Sequence, residues 1–218
     1  GTAHYTLADA GKTYVYTVSE TGTGAGVTND NGTHTVTVKV VDNHDGTMTA
    51  TPKYDGGESL TITNTYAAAG DVVLEATKEI NSWGKAESFT FTLAPVDNAP
   101  MPESSDATTS AVVKTVTQDE LTAKFGTIKY SAEGEYKYTI TETDDGVAGI
   151  TYDTTPHEVV VTVTDNHDGS MTAAATYDGE SSLTITNTYA AEGKVELEAT
   201  KSINEWGEAK SFTFTLAP

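Results

Sequence analysis

HEVVVTVTDNHDGSMTAAATY, residues 157–177, alternates apolar and polar side chains on either side of Asp168-Gly169. A period of two sends successive side chains to opposite faces of a strand, and Asp-Gly between two such runs is a strong hairpin signal. The segment therefore predicts strand, turn, strand. VTVKVVDNHDGTMTATPKY (36–54) is its twin and turns at Asp45-Gly46. Outward from these hairpins the alternation continues. YKYTITE (136–142) puts Tyr136, Tyr138 and Ile140 on one face and Lys137, Thr139 and Thr141 on the other. SFTFTL at 88–93 and 211–216 does the same with Phe89, Phe91, Phe212 and Phe214, and SLTITNTY at 59–66 and 182–189 reads as a closing strand. Helix is almost absent: TQDELTAKF (117–125) is a candidate for one short turn, capped by Thr117 with Glu120 three residues on. VDNAPMPESSDATT (96–109), with Pro95, Pro100 and Pro102, reads as a surface loop.

The chain repeats itself. ITNTYAAAGDVVLEATKEINSWGKAESFTFTLAP (62–95) recurs as ITNTYAAEGKVELEATKSINEWGEAKSFTFTLAP (185–218). A solenoid unit is usually about 20–50 residues, so a repeat this long reads as a tandem array of whole domains. The expected fold is all-β, with tandem Ig-like antiparallel β-sandwiches. Residues 70–190 make one complete repeat. Residues 1–69 correspond to the C-terminal part of a preceding repeat, and 191–218 to the first strands of a following one.

Composition narrows the function classes. The net charge is −20, from 32 acidic and 12 basic residues. No basic patch exists to neutralise phosphates, so nucleic acid is not an expected partner. There is no cysteine and thus no disulfide framework. No apolar run reaches the roughly 18 residues of a membrane span. Asp42–Gly46 and Asp165–Gly169 lack the ligand spacing of a calcium loop and read as turns. His34 and His157 start equivalent strands without a metal-ligand spacing and read as surface residues. Trp83 and Trp206 read as covers for the end of a sandwich. Asn31-Gly32-Thr33 matches a glycosylation acceptor by coincidence. No metal, cofactor or turnover chemistry is expected.

Three polar residues interrupt the apolar phase. Lys78 lies in the opening strand LEATKEI. Glu142 ends YKYTITE in phase with Tyr136, Tyr138 and Ile140. Asn187 lies in LTITNTY in phase with Leu183 and Ile185. Inward polar groups need partners, because an unpaired one costs several kcal/mol. One reading is a buried, hydrogen-bonded cluster of the three without a covalent bond.

The order of these motifs resembles a known family. A lysine strand followed by F-x-F-x-L, then Y-x-Y-x-I-x-E, then I-T-N-x-Y is similar to the pilin isopeptide-linkage domains of Gram-positive surface proteins, the streptococcal major-pilin (FctA) type. GITYDTTPHEVVVTVTDN (149–166) resembles the segment that those domains carry after their Glu. The resemblance implies an autocatalytic amide bond between Lys78 and Asn187, with Glu142 as the catalytic acid. A related family makes Thr–Gln esters; Thr77 is present here, but the closing strand has no Gln. The short Tyr-Pro-Lys type motif of sortase-polymerised pilins is not found.

The same reading places half-sites at both ends. Residues 1–69 hold Glu20 and Asn64 without an opening-strand lysine, and 191–218 hold Lys201 without either partner. A neighbouring repeat or chain is expected to complete each, head to tail and by strand complementation. The expected role is structural: a stalk or shaft repeat of an adhesin or pilus-like fibre on the bacterial surface, in a cell-wall-anchored parent. The alternative is a module that binds glycan or host protein through loops such as 96–109.

Overall fold

The computed structural model describes residues 1–104 and 110–218, so part of the loop expected at 96–109, residues 105–109, lies outside the described residues. Among the described residues the regular elements are strands, apart from one 3-10 turn at Leu7–Asp9. In order these are β1 (Thr13–Ser19), β2 (Val27–Thr28), β3 (Thr33–Asp42), β4 (Met48–Tyr54), β5 (Thr65–Tyr66), β6 (Gly70–Ile80) and β7 (Phe89–Pro95). They continue with β8 (Val112–Val116), β9 (Thr122–Tyr130), β10 (Gly134–Glu142), β11 (Ile150–Thr151), β12 (His157–Asp165), β13 (Met171–Tyr177) and β14 (Thr184–Tyr189).

Residues 70–190 form a sandwich of a five-stranded sheet, β13-β12-β10-β7-β8, and a four-stranded sheet, β11-β14-β6-β9. Their inner faces meet in one core of Leu74, Phe89, Phe91, Leu93, Phe125, Ile128, Tyr138, Ile140, Val159, Val161 and Ile185, all fully buried. Period-two alternation delivers these side chains, as on β12, where Val159, Val161 and Val163 are buried and Thr162 is exposed. On β9 the phase changes: Ala123 and Phe125 point inward, then Ile128 and Tyr130. Gly126, at φ +100°, sits at the change, and β6 shifts register opposite it between Val73 and Glu75. A bulge of this kind re-aims side chains without breaking the sheet.

Pairing is antiparallel throughout the sandwich except in one place. β6 and β14, the first and last strands of the unit, run parallel, with Ile185 opposite Lys78 and Asn187 opposite Ile80. Asn81 extends the pairing with its side chain: it donates to the Tyr189 carbonyl and accepts from the Tyr189 amide. The hairpin read from 157–177 is β12–β13. Asp165 accepts from the His167 amide and Asp168 from the Ser170 amide, while His167 and Gly169 adopt φ of 60° and 85°.

Residues 1–69 repeat the back of this unit. The sheet β1-β3-β4 matches β10-β12-β13, and the pair β2-β5 matches β11-β14. A small core of Val36, Val38 and Val40 is covered by Tyr5, Tyr14, Met48 and Tyr54. Among the described residues no strands equivalent to β6 to β9 cover this sheet, and its inner face is open. Tyr16 and Val18 are 42% and 36% exposed, whereas Tyr138 and Ile140 at the same places are fully buried.

Four local expectations are corrected. TQDELTAKF forms no helical turn: Thr117 and Glu120 exchange two backbone hydrogen bonds in a tight turn, and β9 begins at Thr122. Strong β-formers on either side favour the hairpin-like turn over a helix too short to nucleate. Of SLTITNTY at 59–66, only Thr65–Tyr66 is a strand, because the copy at 184–187 pairs with β6 and no such strand stands beside residues 61–64. SFTFTL at 211–216 forms no strand for the same reason: its copy, β7, needs β8 and β10 on its two sides. The side chains of His34 and His157 are 17% and 12% exposed, each set between two aspartates, so both are half-buried and not fully exposed surface residues.

Candidate functional site

β6 and β14 lie side by side in one sheet, and β10 occupies the middle of the other. That layout brings three in-phase polar side chains to one point in the core. Lys78, Glu142 and Asn187 are 2%, 6% and 1% exposed, and they are the buried polar side chains among the described residues. Lys78 Nζ stands 2.8 Å from Glu142 Oε1. Asn187 Nδ2 donates to the same Oε1 at 3.0 Å. One carboxylate oxygen thus lies between the two nitrogens. Phe89 and Phe91 enclose the lysine, with Nζ 4.7 Å and 5.9 Å from their ring centres. Trp83 packs on Phe89 at 4.8 Å and closes this end of the core.

The polar atoms are incompletely satisfied. Among the described residues, Lys78 Nζ and Glu142 Oε2 have no hydrogen-bond partner, although Nζ lies 2.8 Å from Oε1. Burial pushes the Lys78 ammonium pKa down, against the opposing pull of Glu142. Burial also pushes the Glu142 carboxyl up, against Lys78, Asn187 and the Asp153 amide. Both shifts favour the uncharged forms. Moving one proton from Nζ to the carboxylate converts a costly buried ion pair into a neutral amine and a neutral acid. A neutral amine is a nucleophile, and a neutral acid has a proton to give.

The orientation of the asparagine is fixed from its other side. The Asp153 backbone N–H donates to Asn187 Oδ1 at 2.9 Å. A donor there requires the oxygen, so the amide nitrogen must face Glu142. Glu142 thus meets the amide nitrogen of Asn187, and the carbonyl oxygen has a backbone donor.

The half-sites are placed as follows. Asn64 Nδ2 donates to Glu20 Oε1 at 2.6 Å, and the Asp30 N–H donates to Asn64 Oδ1 at 3.0 Å, the same pattern as around Asn187. Asn64 is exposed, and among the described residues the buried Glu20 Oε2 has no partner. Lys201 is exposed, and its Nζ donates to the Ser202 carbonyl at 3.3 Å. Its Nζ stands 4.5 Å over Phe212, and Trp206 lies 5.1 Å from Phe212, a local copy of the Lys78–Phe89–Trp83 arrangement.

Sequence reasoning missed Asp153, Asp178 and the part played by His157. His157 Nδ1 is 2.8 Å from Asp178 Oδ2, and its Nε2 is 3.3 Å from Asp153 Oδ2. The signal was available: Asp30, His34 and Asp55 recur at the same spacing as Asp153, His157 and Asp178. Among the described residues no cluster of His, Asp and Glu is suited to a metal.

No curated protein matches the sequence. Solved structures that match include the major pilin T-13 of Streptococcus pyogenes, at 22% identity over 56% of this chain and 54% of that one, TM-score 0.36. Another is a Streptococcus pyogenes major pilin at 18% identity over 55% and 50%, TM-score 0.33. A third is the C-terminal fragment of the pilus adhesin SpaC of Lactobacillus rhamnosus GG, at 20% identity over 78% and 61%, TM-score 0.32. The matched region spans about half the length of each of the two major pilins. At family level, FctA, described as the Spy0128-like isopeptide containing domain, matches residues 2–67 and 74–190, and the chain belongs to that family.

Proposed function

We propose that the chain is a structural stalk or shaft segment of a bacterial surface fibre or adhesin, in which 70–190 is a complete repeat stapled by an amide between Lys78 and Asn187. The observation that carries this reading is the single carboxylate oxygen of Glu142 within 3.0 Å of both nitrogens that must exchange protons. The neutral Lys78 amine attacks Asn187 Cγ. Glu142 takes a proton from the attacking nitrogen and delivers one to the departing Nδ2. The C–Nδ2 bond breaks, ammonia leaves, and one amide replaces another. Holding amine and amide together in a dry core makes this slow reaction effectively unimolecular. Each domain reacts once, so the chemistry is self-processing without turnover.

Residues 1–69 and 191–218 are, on this reading, parts of neighbouring repeats. Glu20 and Asn64 await a lysine, and Lys201 awaits a carboxyl and an asparagine. The open inner face at Tyr16 and Val18, against the exposed Leu197, Phe214 and Leu216, supports a neighbouring repeat or a second copy filling the gap by strand addition. The family membership supports a surface location in a cell-wall-anchored parent. No helix among the described residues is long and apolar enough to cross a membrane.

Intact-mass measurement tests the proposal. The purified chain should weigh about 17 Da less than its sequence mass, one ammonia, because attack on the amide expels it. The Lys78→Ala chain should show its full sequence mass. An unshifted wild-type mass would refute the covalent reading and leave the three residues as a buried polar cluster.

A further inference from the structure

The aspartate–histidine–aspartate sets at 153/157/178 and 30/34/55 lie outside the mechanism just given, yet each ends at the reacting asparagine. Asp178 uses both oxygens. Oδ1 accepts from the Glu158 amide at 2.8 Å, which ties it to the start of β12, and Oδ2 meets His157 Nδ1 at 2.8 Å. The far nitrogen of His157 lies 3.3 Å from Asp153 Oδ2, an ion-pair contact without a formed hydrogen bond, and the other Asp153 oxygen accepts from the Thr155 amide at 3.0 Å. Asp153 is in neither sheet, so its peptide has no ladder to hold it. Its backbone N–H nevertheless points at Asn187 Oδ1.

Residues 1–69 carry the corresponding arrangement, there with a hydrogen bond from the histidine to each aspartate. Asp55 Oδ1 accepts from the Thr35 amide at 2.7 Å, and its Oδ2 meets His34 Nδ1 at 2.8 Å. His34 Nε2 meets Asp30 Oδ2 at 3.1 Å, Asp30 Oδ1 accepts from the Gly32 amide at 2.8 Å, and the Asp30 N–H meets Asn64 Oδ1 at 3.0 Å. Among the described residues no lysine is hydrogen-bonded or ion-paired to Glu20 or Asn64. The linkage therefore forms without the nucleophile and belongs to the asparagine side of the site.

We propose that Asp178 and His157 are positioning residues that clasp Asp153, so that its backbone N–H is the donor that receives the oxyanion when Lys78 attacks Asn187. Asp55, His34 and Asp30 do the same for Asn64. Attack on Cγ moves the carbonyl π electrons onto Oδ1. Collapse of the tetrahedral intermediate returns them as Nδ2 leaves with its proton from Glu142, and no other reactant is needed. The proposal rests on the amide reading above. A donor pre-aimed at the developing charge is worth about 10²–10³ in rate, and misplacing it forfeits part of that.

The test follows freshly translated full-length chain by intact mass over time, in wild type, His157→Leu and His157→Gln, with folding checked by circular dichroism. Hydrogen exchange of the Asp153 amide is read in parallel by NMR. Expected is a loss of ammonia at least about 10-fold slower in folded His157→Leu, with partial rescue in His157→Gln, which keeps a donor for the aspartates. The Asp153 amide should exchange faster in His157→Leu. A folded His157→Leu chain that closes at the wild-type rate overturns the clasp while leaving the amide bond intact. So does slowed closure with an unchanged Asp153 amide. Failure of the wild-type chain to lose ammonia overturns the bond itself, and the clasp with it. Should His157→Leu not fold, Asp178→Asn is read in the same way.

Discussion

At Glu142 a single side chain faces two tasks, and its surroundings suit both. It stands in an apolar core that favours its protonated form, and it touches both nitrogens of the proposed exchange. Glu142→Gln keeps the shape and hydrogen bonding but cannot shuttle a proton. That chain is expected to fold, retain its full sequence mass and melt at a lower temperature than wild type; loss of ammonia at the normal rate would remove Glu142 from the chemistry. His34 gives a pH prediction. The bond to Asp55, aided by Asp30 and opposed by burial, raises its pKa above the ordinary value. A folded pKa above the unfolded one means stabilisation that is complete below about pH 6.5 and is lost as pH rises through the folded pKa. NMR titration should place the His34 midpoint above about 6.5, with protection of β3 falling as pH rises once intrinsic exchange is corrected. A midpoint at or below that value contradicts the clasp geometry in residues 1–69.

At the scale of elements, β6 and β14 decide how the unit bears load. They are adjacent and parallel, so tension entering at Gly70 and leaving at Tyr189 shears one strand against the other. A covalent link from Lys78 to Asn187 would carry that force past the core. Closing a loop of about 100 residues also restricts the unfolded chain, worth about 4–5 kcal/mol by the loop-entropy argument for disulfides. Lys78→Ala is accordingly expected to lower the melting temperature markedly, and under a pulling force residues 70–190 should lengthen only in that variant. Equal extension in the wild-type chain would count against the staple.

Much at this scale was legible in the sequence. The alternation at 136–142 placed Tyr138, Ile140 and Glu142 on the buried face, and Asp168-Gly169 placed the turn between β12 and β13. What the sequence left hidden needed partners distant in the chain. Residues 211–216 and 61–64 have the pattern of strands, yet pattern makes no ladder where the neighbouring strand is missing. The parallel β6–β14 pairing arises from topology, which local periodicity does not encode. The Asp153 clasp joins residues on a loop, a strand start and a turn, so no periodicity marks it, and nothing in the local pattern tells that the two histidines lie between aspartates.

In the whole molecule, residues 1–69 meet the 70–190 sandwich at the tip of the β12–β13 hairpin. Tyr66 Oη donates to Asp165 Oδ1 at 2.8 Å, the Met171 amide donates to the Ala69 carbonyl at 2.8 Å, and Gly26 packs against Gly169. A Cβ on Gly26, at φ +74°, would come within 2.7 Å of the Gly169 Cα and the Ala67 carbonyl oxygen. Gly26→Ala is thus expected to loosen the junction without affecting the bond in 70–190. Small-angle scattering would show a broader distribution of sizes at unchanged intact mass, and an unaltered profile would argue against this contact. The central claim is a covalent bond between two named residues, and peptide mapping by tandem mass spectrometry tests it most directly. Digestion of the native chain should yield one branched peptide joining the Lys78 segment to the Asn187 segment, lighter by one ammonia. Recovery of Lys78 and Asn187 only in separate linear peptides of full mass would contradict it.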